Sequence, residues 1–269
     1  MNYSYIAVLA SDNFFPGLCA LSYSLKKVNA KYPLSVVVHA RVSQDIKNRI
    51  SNMGIALIEM NDIVVDDTIL SSNLEKRWNR TLFKLNIFNI TKFEKIVFLD
   101  LDMIIMHNID ALFSCPHMSA VAAGHCKIKE WTSLNSGLMV IEPNEDDYNG
   151  LIKCCTDALE ECLQNGRGFG DQDVIKYYYQ NWDNQLELQL SEAYNCLPMC
   201  IDVLSAQYSF DHIKVVHFCD HTKPWQYRWW DHVLFLGKRI AKCEWNRIRA
   251  LYIYQKYIKQ SCPDYKNFR

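Results

Sequence analysis

Apolar residues recur in two different patterns along the first hundred residues of the chain. Short continuous runs rich in Val, Ile and Leu are typical of buried strands, and they occur at residues 5–10, 34–39, 55–58 and 96–100. Apolar residues at helical spacing predict helices at residues 16–25, 43–53 and 82–88. Strands that alternate with helices in this way indicate a mainly parallel sheet with helices on both faces.

The second half of the chain is less regular but contains the same kinds of element. Apolar segments lie at residues 120–123, 137–141 and 214–217, and helical spacing covers residues 146–163 and 171–181. We find no internal repeat and no low-complexity linker. The pattern therefore predicts an α/β, Rossmann-like single domain over residues 1–225, followed by a helical extension over residues 226–269 that packs on it.

The chain has 269 residues and a net charge of −1, but its charges are unevenly distributed. Residues 226–269 contain ten Lys or Arg and three Asp or Glu, so this extension is strongly basic. A packed helix with a solvated basic face is the simplest interpretation, and a surface for an anionic partner or a membrane is the alternative. No helix-turn-helix, zinc or RNA-binding signature accompanies the charge, so we expect no nucleic-acid partner.

Several features predict a soluble, cytoplasmic protein. No apolar run approaches the roughly 20 residues that a transmembrane helix needs. The first ten residues lack the basic leader of a secretory signal. The eleven cysteines are odd in number and lie mostly in apolar surroundings, which is typical of reduced core thiols.

The apolar run that begins at Ile96 ends in two aspartates one residue apart, Asp100 and Asp102. Positions i and i+2 of a strand face the same way, so both carboxylates are expected at the strand's carboxyl end, where open α/β sheets bind ligands. Adjacent carboxylates repel unless a cation lies between them, and hard cations commonly bind substrate phosphates as well. The pair therefore predicts a divalent-metal site for a phosphorylated ligand. The alternative is one buried aspartate that caps the next turn and one solvated aspartate.

Three further clusters place polar groups next to predicted elements. Residues 135–137 (Asn-Ser-Gly) precede an apolar strand, as a tight turn would. Residues 168–173 (Gly-Phe-Gly-Asp-Gln-Asp) open a helix, which Asp171 alone could cap. His217 ends a predicted strand and Lys223 follows six residues later, a pair that suits a metal ion and a diphosphate.

These motifs, in this order, resemble those of the glycogenin-like members of glycosyltransferase family 8, from about Ser4 to Trp225. The resemblance implies a GT-A fold and metal ligation by Asp100, Asp102 and His217. The residues that it implies in donor binding are Leu9, Ser11, Asp12, Phe15, Arg77, Lys84, Asp100, Leu101, Asp102, Asn135, Ser136, Asp171, Gln172, His217, Asp220 and Lys223.

The resemblance assigns different tasks within this set. The segment that ends at Phe15 is similar to the family's nucleotide-binding strand and loop, in which Phe15 would stack on the uracil. Lys84 matches a basic position near the donor. Asp171, Gln172 and Lys223 are implied as catalytic residues, the first two beside the donor sugar and Lys223 on the diphosphate.

Three positions depart from the family pattern. Asp220 replaces a glycine near the diphosphate, so its carboxylate has to point away from the donor. Gly168 stands where glycogenins have an aspartate near the sugar, which leaves the donor sugar open. Asp202 occupies, by count from Tyr194, the place of the self-glucosylated tyrosine, so we expect no self-glucosylation at that position.

The resemblance implies retaining transfer of a hexose, with glucose as the first choice, from a UDP-sugar to a carbohydrate or protein acceptor. Mn²⁺ is the implied metal, and the residues alone also allow Mg²⁺; a homodimer is compatible with the family. Retention by same-face attack or by a covalent intermediate on Asp171 stays open, and we favour same-face attack because no nucleophile is clearly placed. The alternatives are a haloacid-dehalogenase-like phosphohydrolase, whose strand also ends in Asp-x-Asp, and an inactive sugar-nucleotide-binding protein.

Overall fold

Two β-sheets form the framework of the molecule. The computed structural model describes residues 2–65 and 71–268, except for the side chain of Arg77. The strands are β1 (Tyr3–Leu9), β2 (Leu34–His39), β3 (Ala56–Met60), β4 (Lys95–Leu99), β5 (Met103–Ile105), β6 (Ser119–Val121), β7 (Asn135–Ile141) and β8 (Val215–His217).

The larger sheet has six strands in the order β3-β2-β1-β4-β7-β6. Strand β1 pairs in parallel with β2 and β4, and β2 pairs in parallel with β3. Strand β7 runs antiparallel to β4, and β6 runs antiparallel to β7. The predicted mainly parallel α/β sheet is therefore confirmed. The strand predicted at residues 214–217 instead joins β5 in a separate two-stranded antiparallel sheet.

Helices cover both faces of the large sheet. The α-helices with described bounds are α1 (Phe15–Lys27), α2 (Gln44–Asn52), α3 (Glu145–Lys153), α4 (Cys155–Gln164), α5 (Asp171–Tyr178), α6 (Ile201–Gln207), α7 (Trp229–Ala241) and α8 (Trp245–Ser261). Short 3-10 segments are Asp12–Phe14, Asp110–Ser114, Trp182–Asn184, Leu186–Leu188, Glu192–Tyr194, Phe210–His212, Pro224–Gln226 and Tyr265–Phe268, and a longer one is Lys76–Asn89.

Two predicted helices differ from the structure. The helix expected at residues 82–88 is the 3-10 segment Lys76–Asn89. The helix expected at residues 146–163 is interrupted at Cys154, whose ψ of 1° departs from helical geometry, so that α3 ends and α4 begins there. Apolar periodicity reports which residues share a face, and it is nearly insensitive to a one-residue interruption.

The core consists of two hydrophobic clusters on opposite faces of the sheet. Along β1, Tyr5 and Ala7 belong to one cluster and Ile6 to the other. Along β4, Val97 and Phe98 divide in the same way. Because side chains alternate along a strand, continuous apolar strands bury residues on both faces only when each face is covered.

The two carboxyl-terminal helices pack very differently. Helix α8 buries Leu251, Tyr254 and Ile258 in the core cluster that also contains residues of α1. Helix α7 buries none of its side chains. No helix in the described part of the chain is long and apolar enough to cross a membrane.

Candidate functional site

The ends of three strands bring the predicted metal ligands together. Asp100 directly follows β4, and its amide donates to the carbonyl of Gly137 in β7 (2.9 Å). Pairing of β5 with β8 sets Met103 opposite His217, so Asp102 lies beside the imidazole. A Cβ atom at Gly137 would lie 2.5 Å from Cε1 of His217, so only glycine allows the strand to pass this close to the ring.

Asp100, Asp102 and His217 form a compact group of potential metal ligands. One ligand atom from each lies within 4.8 Å of the others. Nε2 of His217 is 3.2 Å from Oδ1 of Asp102 and 3.9 Å from Oδ2 of Asp100. Two carboxylates and one imidazole suit Mn²⁺ or Mg²⁺ shared with phosphate oxygens.

A chain of side-chain amides fixes the tautomer of His217. Nδ2 of Asn195 donates to Oδ1 of Asn135 (2.9 Å), so Oδ1 of Asn195 faces His217 and accepts from Nδ1 (2.9 Å). The same Oδ1 of Asn135 accepts from the amide of Gly137 (3.0 Å), which orients the Asn135 side chain. Nδ1 therefore carries a proton, which leaves Nε2 as the ring nitrogen that faces the two carboxylates and that would bind a metal.

Two lysines flank the group from opposite sides. Nζ of Lys84 is 3.1 Å from Oδ1 of Asp100 and 2.8 Å from Oδ2 of Asp171. Nζ of Lys223 is 2.7 Å from Oδ2 of Asp102. Three carboxylates therefore face two ammonium groups, and this excess of negative charge is what a divalent cation would neutralise.

The buried charges shift each other's pKa values. Burial raises the pKa of Asp100 above its ordinary value, although Lys84 opposes this. Burial acts in the same direction on Asp102, but His217 and Lys223 outweigh it and lower the pKa of Asp102. Burial would lower the pKa of Lys84, yet Asp100 and Asp171 raise it above its ordinary value. His217 and Lys223 thus keep Asp102 ionised although its side chain is largely buried.

A second set of contacts fixes Asp171 and Gln172 beside the ligands. Gly170, and not Asp171, is the N-cap of α5, which leaves the Asp171 carboxylate free for other contacts. Ser136 Oγ donates to Oδ2 of Asp171 (2.8 Å), and the amide of Ser136 donates to Oε1 of Gln172 (3.1 Å). Burial alone would raise the pKa of Asp171, but Lys84 and hydrogen bonds from Ser136 and Thr81 lower it.

These groups line one open cleft of about 1060 Å³. The predicted site residues that line it are Ser11, Lys84, Asp100, Leu101, Asp102, Asn135, Ser136, Asp171, Gln172, His217 and Lys223. Residues in its wall that the sequence did not single out include Val8, Ala10, Phe14, Glu75, Trp78, Arg80, Thr81 and Lys176.

The structure does not place Phe15 in the cleft. The side chain of Phe15 is buried, with the guanidinium of Arg49 4.5 Å from its ring centroid and the ring of Phe268 at 5.7 Å. Leu9 is likewise buried in the core. Phe14, one residue earlier, lines the cleft and packs edge-on against Trp225. The aromatic side chain of this segment that lines the cleft is therefore Phe14 and not the predicted Phe15.

Three other predicted residues do not contribute described side chains to the cleft wall. Oδ1 of Asp12 accepts from the amide of Ser43 (3.0 Å), next to the start of α2. The Asp220 carboxylate is exposed and lies 3.5 Å from the guanidinium of Arg247, so it points away from the ligands as expected. The side chain of Arg77 lies outside the described residues.

A different group of metal-type ligands lies outside this cleft wall. Ligand atoms of Cys126, Glu192 and Cys200 are within 4.8 Å of each other. Thiolates favour softer metals such as zinc, whereas oxygen and imidazole ligands suit the ions that accompany phosphates. Among the described residues, the chemistry of a phosphorylated ligand therefore points to Asp100, Asp102 and His217.

The chain is similar to several known proteins. The family model described as Glycosyl transferase family 8 matches residues 5–228. Glycogenin-1 of Oryctolagus cuniculus is 29% identical over 230 residues, covering 83% of this chain and 66% of that protein. Protein R707 of Acanthamoeba polyphaga mimivirus is 27% identical over 241 residues and 83% of each chain.

A solved structure shows the same fold. The galactosyltransferase LgtC, in complex with donor and acceptor sugar analogs, superposes with a TM-score of 0.62 over 96% of each chain, at 14% identity. This likeness confirms the predicted GT-A fold class.

Proposed function

We propose, because the chain belongs to glycosyl transferase family 8, that it transfers a hexose from a UDP-sugar to an acceptor in a metal-dependent, retaining reaction. Family membership favours glycosyl transfer over the phosphohydrolase alternative. The observation that carries the proposal is the convergence of Asp100, Asp102 and His217 with Lys84 and Lys223 in one cleft.

The residues at the metal end suit a diphosphate. Asp100, Asp102 and His217 would hold the divalent ion, with Mn²⁺ as the first choice by family resemblance and Mg²⁺ allowed by the ligands. When bound, such an ion acts as a Lewis acid that neutralises the charge developing on the departing UDP. Nζ of Lys223 lies 2.7 Å from Oδ2 of Asp102 and would add fixed positive charge next to the diphosphate.

The residues at the other end suit the sugar. Ser136, at the start of β7, donates hydrogen bonds to the side chains of Asp171 and Gln172, so their positions are fixed before a donor binds. The same Oδ2 of Asp171 contacts both Ser136 and Lys84, at 2.8 Å each, and the pKa of this carboxyl is lowered. A carboxylate held in this way is a weak nucleophile, which supports same-face attack with Asp171 as a positioning group.

The donor sugar is proposed as glucose by family resemblance, with galactose as the main competitor. Gly168 lines the cleft, and a Cβ atom there would lie 2.6 Å from the side chain of Glu75 and 2.8 Å from that of Trp78. The space that a glycogenin aspartate would need is thus already occupied by these two side chains. We infer that Glu75 and Trp78 take part in selecting the sugar.

Measurement of UDP release from a panel of UDP-sugars tests the proposal, with Mn²⁺, with Mg²⁺ and with excess chelator, in the presence and absence of added glycans. Release with one donor that stops in chelator is the expected result. UDP-sugar binding at equilibrium without release would indicate the inactive binding protein. Hydrolysis of an aryl phosphate that a fluoride–metal complex inhibits would indicate the phosphohydrolase.

Phe14 is expected to contribute to binding of the uracil. Base stacking on an aromatic ring is worth roughly 1–3 kcal/mol, so Phe14→Ala should weaken UDP binding about 10- to 100-fold. Phe15→Leu serves as the comparison, because Phe15 is buried away from the cleft. Titration calorimetry with UDP and Mn²⁺ measures both variants. Normal UDP affinity in Phe14→Ala together with reduced affinity in Phe15→Leu would show that the base contacts Phe15 and not Phe14.

We also predict that the protein does not glucosylate itself at the usual family position. Asp202 stands there, and its Oδ1 accepts from the amide of Asn246 (3.0 Å) in the first turn of α8. Its carboxylate thus stabilises a helix start and cannot form a stable aryl glucoside. Tyr208 is stacked on His212, with ring centroids 4.6 Å apart. Intact-mass spectrometry after incubation with UDP-glucose and Mn²⁺ should show an unchanged mass, and a ladder of hexose additions would contradict this.

The acceptor is proposed as a carbohydrate or a separate protein, in keeping with the aspartate at the family's self-glucosylation position. We also predict a cytoplasmic location and a homodimer. Gel filtration with light scattering tests the homodimer directly.

A further inference from the structure

Helix α7 exposes its apolar face to solvent. The exposed apolar side chains, with their exposed fractions, are Trp229 (72%), Trp230 (41%), Val233 (59%), Leu234 (59%), Leu236 (38%) and Ile240 (49%). At 100° per residue they share a sector of roughly half the helix circumference. Three of them, Trp229, Val233 and Ile240, lie within about 40° of one another and form a single stripe in one half of this sector.

The opposite side of α7 makes the contacts with the rest of the protein, through ion pairs and through Phe235, which packs against a core cluster. Arg239 is paired with Glu244. The ring of Phe235 lies 5.7 Å from the guanidinium of Arg239 and 5.8 Å from that of Arg247. This orientation is the reverse of the usual one, in which a helix on the surface of a protein turns its apolar stripe towards the core.

Positive charge surrounds the apolar face. Arg228 directly precedes α7, Lys238 lies in its last turn and Lys242 directly follows it, and all three are exposed. Helix α8 also exposes aromatic and basic side chains at helical spacing, which are Trp245, Arg249, Tyr252 and Lys256.

The acidic groups nearby are already engaged. Oδ2 of Asp231 accepts from the amide of Arg228 (2.8 Å), and Glu244 is paired with Arg239. Further along the chain, Asp264 is paired with Arg49. Asp211 lies 3.7 Å from Arg249 and offsets its charge, so the net positive charge beside the apolar face comes from Arg228, Lys238, Lys242 and Lys256.

We propose that the outward face of α7 and α8 docks the protein on an anionic membrane surface. A helix with tryptophans and branched aliphatic residues on one face and flanking Lys and Arg lies well in the plane of a membrane interface. Tryptophan favours the boundary between headgroups and acyl chains, and basic side chains favour anionic headgroups. With 13 residues, α7 would lie on the membrane and not across it.

The cleft is rigidly connected to this face. The 3-10 segment Pro224–Gln226 follows Lys223 directly and leads to α7. Gln255 of α8 donates to the carbonyl of Pro224 (2.6 Å), and the indole of Trp225 donates to the carbonyl of Asn13 (3.0 Å). Docking would therefore hold the cleft near the bilayer, where a lipid-linked acceptor could reach it. This last step rests on the proposed function, whereas docking itself does not.

Vesicle flotation of the full chain tests the docking. The protein should float with vesicles of phosphatidylcholine mixed with phosphatidylglycerol, should float much less with phosphatidylcholine alone, and should be released by high salt. The triple variant Trp229→Ala, Val233→Ala and Ile240→Ala should lower the partition coefficient about 10-fold or more. A matched control replaces Trp131, Val64 and Leu186, which are also exposed, with alanine.

The expected result is selective loss in the α7 variant, with metal-dependent UDP release from the donor unchanged. Equal flotation of the parent and the α7 variant, or failure of the parent to float, would overturn the proposal. A parent dimer that the α7 variant alone dissociates would assign the face to a second copy of the chain and would also overturn it. Because flotation needs neither donor nor metal, its outcome is independent of whether the chain transfers sugar.

Discussion

Replacing Asp102 with asparagine is expected to reduce metal-dependent UDP release about 10³-fold, since a Lewis-acid metal contributes several kcal/mol and each ~1.36 kcal/mol is a factor of ten. Asparagine keeps the shape of the side chain but removes the charge that Nζ of Lys223 (2.7 Å) and Nε2 of His217 (3.2 Å) contact. The variant should fold, because these contacts lie at the edge of the cleft and outside the two core clusters.

The matched control is Asp211→Asn, which removes an exposed carboxylate that does not line the cleft. Circular dichroism and urea unfolding establish that both variants are folded before rates are compared. Full activity in Asp102→Asn, or in the parent protein with excess chelator, would show that the reaction does not use a metal at this site. Comparable losses in both variants would point to a general effect of lost charge.

Much of this site was predictable from local sequence. Asp100 and Asp102 are two residues apart at the end of a buried strand, and strand geometry alone predicts that their carboxylates share a side. His217 was also identified at a strand end, with Lys223 six residues later. The end of a buried apolar strand can be recognised in the sequence, and in open α/β sheets such ends commonly carry ligand-binding residues. The antiparallel pairing of the His217 strand with β5 in a separate sheet was not predictable in this way.

Other parts of the site depend on tertiary contacts that leave no local pattern. Asn195 fixes the tautomer of His217 from 22 residues away, and Thr81 accepts from the amide of Asp171 across 90 residues. The aromatic side chain in the cleft wall is Phe14 and not the predicted Phe15, because the turn Asp12–Phe14 precedes α1 and directs Phe14 into the cleft. Family resemblance identifies which segment of this chain corresponds to the nucleotide-binding loop. The local backbone conformation determines which side chain of that segment faces the cleft.

The carboxyl-terminal helices show a further limit of sequence analysis. Apolar periodicity correctly predicts helices in the extension, and Leu251 is buried as a packed helix requires. The same periodicity includes Ile240, which is exposed. The spacing of apolar residues defines which side of a helix is apolar, and only the contacts of Phe235 and Arg239 show that this side of α7 is turned outward.

The largest expected effect on stability comes from Lys84, whose side chain is only 12% exposed and pairs with both Asp100 and Asp171. Lys84→Met keeps most of the side-chain volume but removes the cation from Asp171, which is 9% exposed, and from Asp100, which is 26% exposed. Breaking a buried ion pair from one side typically costs about 3–5 kcal/mol, and we expect a loss of this size in metal-free protein. Urea unfolding in the presence of chelator measures it.

Lys47→Met is the matched control, because Lys47 is 9% exposed but its partner Glu59 is 57% exposed. Water can solvate Glu59 after the substitution, so we expect a loss of only about 1 kcal/mol from the broken pair. Adding Asp171→Asn to Lys84→Met should recover part of the stability, because one of the two uncompensated charges is then removed. Equal losses in the two lysine variants, or no recovery in the double variant, would show that the burial of the carboxylates contributes little. Recovery would instead establish that Lys84 allows the carboxylates of Asp100 and Asp171 to lie close together in the cleft, so that both are in position before the donor binds.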